Sequence, residues 1–278
     1  MTIAMGEPAK KILFVNAEMF PYLPETRMSK VCRELPQGIQ ERHREIRAFM
    51  PRYGCINERK NQLHEVIRLS GMNIIISDVD RPLVIKVASI SSARIQVYFI
   101  DNEDYFRRKQ IYADENGKPF ADNGERAVFF ARGVLETVKK LRWAPDVIHC
   151  SGWITHVLPL YLKKAYKDDP IFSNSKVVLS LFDDVKADPL SPGLAGALQF
   201  GAIKPEDINI GKEPTGMELA KLAVQYSDGI IMGSPDVAPE LAENCKASGL
   251  PILPFDNAAI ENGSYMDSHN AFYDEILK

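Results

Sequence analysis

Short apolar runs that alternate with segments of helical periodicity restrict this chain to one fold class. Lys11–Ala17, Ile46–Met50, Asp146–Cys150, Lys176–Phe182 and Gly229–Gly233 are such runs. They lack strict polar–apolar alternation, as expected of strands covered on both faces. Asp122–Leu141 is the clearest helix between them. Phe129, Phe130, Val134, Leu135 and Val138 form its apolar stripe, Asp122 or Asn123 is placed to cap it, and Lys139 and Lys140 close it. Met28–Met50 reads as a helix followed by the second strand, and Trp153–Ala165, Thr215–Tyr226 and Pro235–Ala247 read as further helices. The alternation predicts an α/β fold: a Rossmann-like parallel sheet flanked by helices, with right-handed crossovers.

One stretch breaks the pattern. Val66–Leu69, Met72–Ser77, Leu83–Ile90 and Arg94–Ile100 are closely spaced strand signals with little room for helices, which predicts an antiparallel β insertion at about 63–101. Lys109–Ala121 reads as a polar loop with an Asn116-Gly117 turn, and Asp183–Pro214 as irregular chain with a short helix near Leu194–Phe200. Residues 1–250 are expected to form the domain. Residues 251–278 are expected to be a C-terminal tail packing on it, with a last helix at Asn270–Leu277.

Composition excludes several classes. At 278 residues and 45% hydrophobic the chain can bury a full core. A net charge of −3 gives no basic footprint for nucleic acid; the clusters Arg107-Arg108-Lys109 and Lys139-Lys140 read as solvated surface. Cys32, Cys55, Cys150 and Cys245 are widely spaced, with no CxxC pair and no metal-ligand spacing, and read as free, mostly buried thiols of a reducing compartment. No apolar run approaches the ~18 residues of a membrane span, and the N-terminus has no signal-peptide core. The expectation is a cytoplasmic protein without metal or cofactor, bound to neither membrane nor nucleic acid.

The loop after the first strand carries the main chemical information. In an open α/β sheet a ligand sits outside the carboxyl ends of the strands, and a loop leading into a helix N-terminus is the usual phosphate cradle. Such a cradle needs glycine so that backbone N–H groups can approach the anion. Here the loop reads Tyr22-Leu23-Pro24-Glu25-Thr26-Arg27. It has no glycine, a proline without an N–H, and a carboxylate that repels phosphate.

Three blocks carry a family resemblance: ILFVNAEMFPYLP…RELPQGIQERHREIRAFMPRYG (Ile12–Gly54), VYFIDNEDYFRRKQIYADENGKPFADNGERAVFFARGVLE (Val97–Glu136) and APDVIHCSGWITHVLPLYLK (Ala144–Lys163). ELAKLAVQYSDGIIMGSP (Glu218–Pro235) is a weaker fourth. In this order and spacing the chain resembles the N-terminal, starch-synthase catalytic domain of bacterial glycogen and starch synthases, family-5 retaining glucosyltransferases of GT-B fold. The resemblance implies transfer of glucose from ADP-glucose to an α-1,4-glucan in a cleft between two Rossmann-like domains. It also implies that the GT-B C-terminal domain, the main nucleotide-binding half, is absent here.

Against that pattern the chemical positions have changed. The family's Lys-x-Gly-Gly-Leu loop aligns with Pro24-Glu25-Thr26-Arg27-Met28, so Pro24 replaces the lysine while Thr26 and Arg27 replace the glycines. The family's His-Asp-Trp aligns with Ser151-Gly152-Trp153, and its Thr-Ile-His-Asn with Ser180-Leu181-Phe182-Asp183. No catalytic position is intact.

The remaining family-matched positions each carry two readings. Glu18 either meets a ligand or organises the loop by accepting backbone N–H bonds. Arg52 meets an anion or an acceptor, or holds the Pro51-Arg52-Tyr53-Gly54 turn through a carboxylate pair, with Tyr53 beside it. His149 faces the cleft, or packs. Trp153 stacks on sugar, or packs in the core. Thr155 faces ligand, or hydrogen-bonds within the first turn of its helix. Asp101, Tyr105, Asp122 and Asn123 match the second block, and the N-cap reading alone explains the last two.

Together these readings give a glycogen/starch synthase-like protein that is a non-catalytic binding or regulatory homologue. The alternative is an ADP-glucose glucosyltransferase active only with a partner chain. The implied partners are an α-glucan or a sugar nucleotide. A homodimer or protein partner is expected across the exposed cleft face, with Phe20 and Phe182 near it.

Overall fold

A computed structural model describes residues 9–278 of the chain. Its ten-stranded sheet has the order β10-β9-β8-β7-β1-β2-β6-β5-β3, with β4 paired to β5. The strands are β1 (Lys11–Asn16), β2 (Glu45–Pro51), β3 (His64–Glu65), β4 (Met72–Ile76), β5 (Val79–Ile90), β6 (Ile95–Asp101), β7 (Val147–Ser151), β8 (Lys176–Leu181), β9 (Gly229–Met232) and β10 (Ile252–Leu253). From β10 across to β6 every pairing is parallel, whereas β5 runs antiparallel to β6, β3 and β4. This is the parallel-dominated sheet with an antiparallel insertion that the patterning predicts.

Carboxylates help to set the register. Asp146 Oδ2 accepts the backbone N–H of Lys11 at 2.7 Å, and Asp228 Oδ2 that of Val177 at 2.7 Å. Each ties the start of one strand to the approach of its neighbour.

The helices are α1 (Arg27–Glu41), α2 (Glu103–Phe106), α3 (Asn123–Leu141), α4 (Leu158–Lys164), α5 (Leu194–Leu198), α6 (Gly216–Gln225), α7 (Pro239–Ala247), α8 (Asn257–Asn262) and α9 (Tyr265–Ile276). α3, α4 and α6 contact one another in sequence, while α1 packs with α9; a doubly wound sheet places these groups on opposite faces. α3 is buried nearly all round, Phe129, Phe130, Val134 and Leu135 being fully so. Thr215 caps α6 in a reciprocal box with Glu218. The four cysteines are free thiols, buried except for Cys55. No helix among the described residues is long and apolar enough to cross a membrane.

Several local expectations change. Arg94–Ile100, read as part of the insertion, lies parallel to β2 within the main sheet, and most of Val66–Leu69 is turn. The single helix expected at Trp153–Ala165 is a 3₁₀ turn at Trp153–Thr155 followed by α4. Pro159 explains the break: lacking an N–H, it sits in the first turn of a new helix. The helix expected from Pro235 begins at Pro239 for the same reason.

Asp122 does not cap α3. Its Oδ2 takes Arg108 Nη2 at 2.6 Å instead, while the Asn123 side chain donates to Tyr112 O at 2.9 Å. The C-terminal stretch adds β10 to the sheet edge and starts its last helix at Tyr265. That helix is pinned to the turn after α1 by Arg42–Asp267 and Arg44–Asp274 pairs of 2.7 Å.

Candidate functional site at the β1–β7 switch point

The sheet order reverses at β1, which has β2 on one side and β7 on the other. The loops after β1 and β7 therefore diverge there, which is where open α/β sheets bind ligands. The Ala17 N–H donates to Ser151 O at 2.8 Å and closes the floor of this crevice. Gly152 follows with φ +89°, a region open to glycine at little cost. A Cβ on Gly152 would lie 2.5 Å from the Ala17 Cβ and 3.1 Å from Asp184 Oδ2.

The loop after β1 is held by its own apolar side chains. Met19, Tyr22 and Leu23 are buried, and the Tyr22 ring meets Phe99 edge-on at 4.8 Å. The tip, Pro24 to Arg27, is exposed. Thr26 is the N-cap of α1: its Oγ1 accepts the Ser29 N–H at 3.0 Å, and Ser29 Oγ accepts the Thr26 N–H at 2.8 Å. The helix terminus that would present free N–H groups to a phosphate is thus already served in part by its own side chains.

The Thr26 hydroxyl proton goes to Glu18 Oε2 at 2.9 Å. Glu18 therefore organises the loop, through a hydroxyl and not through the expected backbone N–H groups. Arg27 turns away from the crevice, along the carboxyl edge of the sheet towards the ends of β9 and β10. Its guanidinium lies 5.1 Å above the Phe255 ring and within 3.5 Å of Ser234 Oγ.

The residue that sequence reasoning missed is Asp184. Its Oδ2 accepts the Trp153 backbone N–H at 2.7 Å, while Oδ1 is buried with no partner among the described residues. Burial, with the nearby Glu18 charge adding to it, raises this carboxyl to about 6. Asn16, at the end of β1, is buried with both side-chain polar atoms unpartnered among the described residues. A signal for each was present: an Asp183-Asp184 pair just past a strand, and an asparagine ending an apolar run.

Other expected positions pack instead of facing the crevice. His149 is buried between Tyr273 OH and Ser180 Oγ, each 2.6 Å from a ring nitrogen, and burial pushes it well below the usual histidine value. Trp153 is buried with its ring edge-on to Tyr112 at 5.2 Å. Thr155 is buried and its hydroxyl donates to Gly152 O at 2.7 Å.

Arg52 is spent on carboxylates. Its Nε donates to Glu58 Oε1 at 2.7 Å and lies 3.5 Å from Asp101, with Lys86 joining both acids at 2.7 and 3.0 Å. Tyr53 is fully buried against Phe106. Phe182, expected at an exposed face, is only 2% exposed because its ring lies over Gly233. Phe20, at 40% exposure, is the large apolar side chain that remains open at this edge.

The crevice thus gathers Glu18, Thr26, Ser151, Gly152 and Asp184, a hydrogen-bond-accepting and acidic set. Among the described residues no group of His, Cys, Asp or Glu side chains is placed to hold a metal.

Residues 11–252 match the family model of the starch synthase catalytic domain. The chain belongs to this starch synthase family. A glycogen synthase of Chlorobium luteolum is 35% identical over 276 residues, covering 96% of this chain and 55% of that protein. A glycogen synthase of Chlorobium limicola is 35% identical over 240 residues, covering 81% and 48%. The catalytic domain of starch synthase IV from Arabidopsis thaliana, solved with ADP and acarbose, superposes with a TM-score of 0.71 at 15% identity, covering 89% of this chain and 51% of that one. That likeness shows the shared GT-B-type fold. The chain spans about half the length of the relatives it matches. The loop after β1, Tyr22 to Arg27, holds no glycine.

Proposed function

We propose that this starch-synthase-family domain is a non-catalytic binding or regulatory homologue whose β1–β7 crevice takes a neutral α-glucan surface and refuses a nucleoside diphosphate. The observation that carries the reading is the Glu18–Thr26–Ser29 chain, which caps α1 from within and puts a carboxylate in the loop. A diphosphate brought there meets the Glu18 and Asp184 charges and finds no glycine N–H groups. Sugar hydroxyls are the opposite case: they donate, and the partly exposed Glu18 carboxylate accepts.

Glucosyl transfer depends on stabilising the departing diphosphate, and losing one well-placed donor costs about 10²–10³ in rate. Here a lysine and two glycines of the family pattern are replaced together. The test follows labelled ADP-glucose incorporation into glycogen by the purified chain against a boiled control, alongside calorimetric titration with ADP-glucose and maltooligosaccharides. The expected result is maltooligosaccharide binding without nucleotide binding or incorporation. Clear turnover, or tight ADP-glucose binding, overturns it.

A second reading is an ADP-glucose glucosyltransferase that works with a partner chain. The 35% identity to glycogen synthases across 96% of the chain favours it. Incorporation that appears only when the C-terminal half of such a relative is added would establish this reading over the first.

A further inference from the structure

Away from the crevice, a cavity of about 110 Å³ lies between the carboxyl ends of β8–β10 and helices α8 and α9. Its wall is mainly apolar, with Phe182, Ile231, Phe255 and Ala259 contributing, and Ser180 and His269 are among its polar side chains. Neither takes part in the glucan reading above.

The hydrogen bonds around these two groups fix where their protons are. The Tyr273 hydroxyl is fully buried, and His149 Nδ1 is its side-chain partner. If that hydroxyl accepted from the ring its own proton would be stranded, so it donates to Nδ1. A neutral His149 then carries its proton on Nε2 and gives it to Ser180 Oγ. The Ser180 proton is left unspent. His269 Nδ1 lies 2.7 Å from the Tyr265 carbonyl oxygen, which can only accept. Nδ1 therefore holds the proton and Nε2 is a bare acceptor. Burial lowers His269 to about 4, so the ring stays neutral at pH 7. The His149 and His269 rings are 6.3 Å apart, and Ser180, hydrogen-bonded to His149, lines the cavity together with His269.

We propose that this cavity is a binding site for a small, neutral, single-ring hydroxylated molecule of the phenol class. Its ring lies among the apolar side chains of the wall, and its hydroxyl donates to His269 Nε2 and accepts from Ser180. An apolar cavity of about 150 Å³ takes benzene, so at about 110 Å³ a single ring is the largest occupant this one admits. An anion finds no counter-charge among the lining residues, whose one charged side chain is the acidic Asp256. Arg27, stacked on the lining residue Phe255, stands at the edge of the site.

The experiment is calorimetric and NMR titration of the full chain with phenol and with toluene. Phenol is expected to bind saturably with a Kd of about 0.1–1 mM, and toluene about 10-fold more weakly, since it can make neither hydrogen bond. Ala259→Leu fills the space and should abolish binding of both; Ile260→Phe, on a half-buried wall position, serves the same purpose should the first variant fail to fold. Ser180→Ala should weaken phenol by about 3-fold, part of the way to the toluene level, because the His269 acceptor remains. No saturable phenol binding up to about 10 mM, or unchanged binding in a folded, filled variant, overturns the site. Toluene binding as tightly as phenol overturns the hydrogen-bond assignment. Each of these outcomes is separable from maltooligosaccharide or nucleotide binding at the crevice.

Discussion

Asp184 accepts the backbone N–H of Trp153 at 2.7 Å with one carboxylate oxygen and buries the other without a partner among the described residues. The bond orders the start of the 3₁₀ turn that follows Gly152. The same burial makes the charge costly, and this has a measurable consequence.

The carboxyl rises from an ordinary 3.8 to about 6 on folding. Between these values the folded state binds more protons than the unfolded one, so this group's contribution to stability falls as pH rises through that window. Its charge is a net cost above pH 6 that is relieved below about pH 4. Asp184→Asn keeps an acceptor for Trp153 and removes the charge beside Glu18. It should stabilise the protein at pH 7 by on the order of 1–2 kcal/mol and show little gain at pH 4. Urea denaturation of both proteins from pH 4 to 7 checks this, and a gain independent of pH would contradict it.

Gly152→Ala should be strongly destabilising. The substitution forces a side chain onto φ +89° and brings its Cβ to 2.5 Å from the Ala17 Cβ. Strain and overpacking together are expected to cost about 2–4 kcal/mol. A thermal melt showing a loss of less than a degree would mean that the crevice floor is softer than described.

Thr26→Ala removes both the N-cap acceptor for Ser29 and the donor to Glu18, and should cost about 1 kcal/mol, whereas Thr26→Gly should cost only a few tenths. The triple change Pro24→Lys, Thr26→Gly, Arg27→Gly rebuilds the family's loop pattern. Because Glu18 and Asp184 remain, it should bring only weak ADP-glucose binding and no glycogen elongation, read by calorimetry and by label incorporation.

Arg126 holds the loop between α2 and α3 in place. It is fully buried, and its guanidinium donates to Tyr105 O, Ile111 O and Asn123 Oδ1 at 2.6–2.9 Å. Lysine keeps the charge but cannot span these acceptors, so Arg126→Lys should cost about 2–4 kcal/mol. Limited proteolysis should then cut within residues 107–121 under conditions where the parent chain resists.

Much of this molecule is legible in one dimension. The strands β1, β2, β7, β8 and β9 stand within a residue or so of their apolar runs, because burial on both faces of a parallel sheet writes itself as a continuous local pattern. α3 is equally plain from its stripe. Local signals also mislead in particular places. Asp122 has the chemistry of a cap but meets Arg108, and Trp153–Ala165 has helical periodicity but breaks at Pro159. In each case a partner or a backbone constraint overrides a propensity worth a kilocalorie or less, on the order of what one cap contributes.

The sequence by itself determined the α/β class, the presence of an antiparallel insertion, the family and the absence of glycine from the loop after β1, because each depends on neighbouring residues or on a motif. Tertiary structure alone decided which polar groups are satisfied. Trp153 and Asp184 are 31 residues apart, and His149 and Tyr273 are 124 apart. Those pairings set the raised carboxyl at the crevice and the proton positions in the cavity. They exist because the sheet order brings β7, β8 and α9 together, and a side chain's solvation follows from what surrounds it in space and not from its neighbours along the chain.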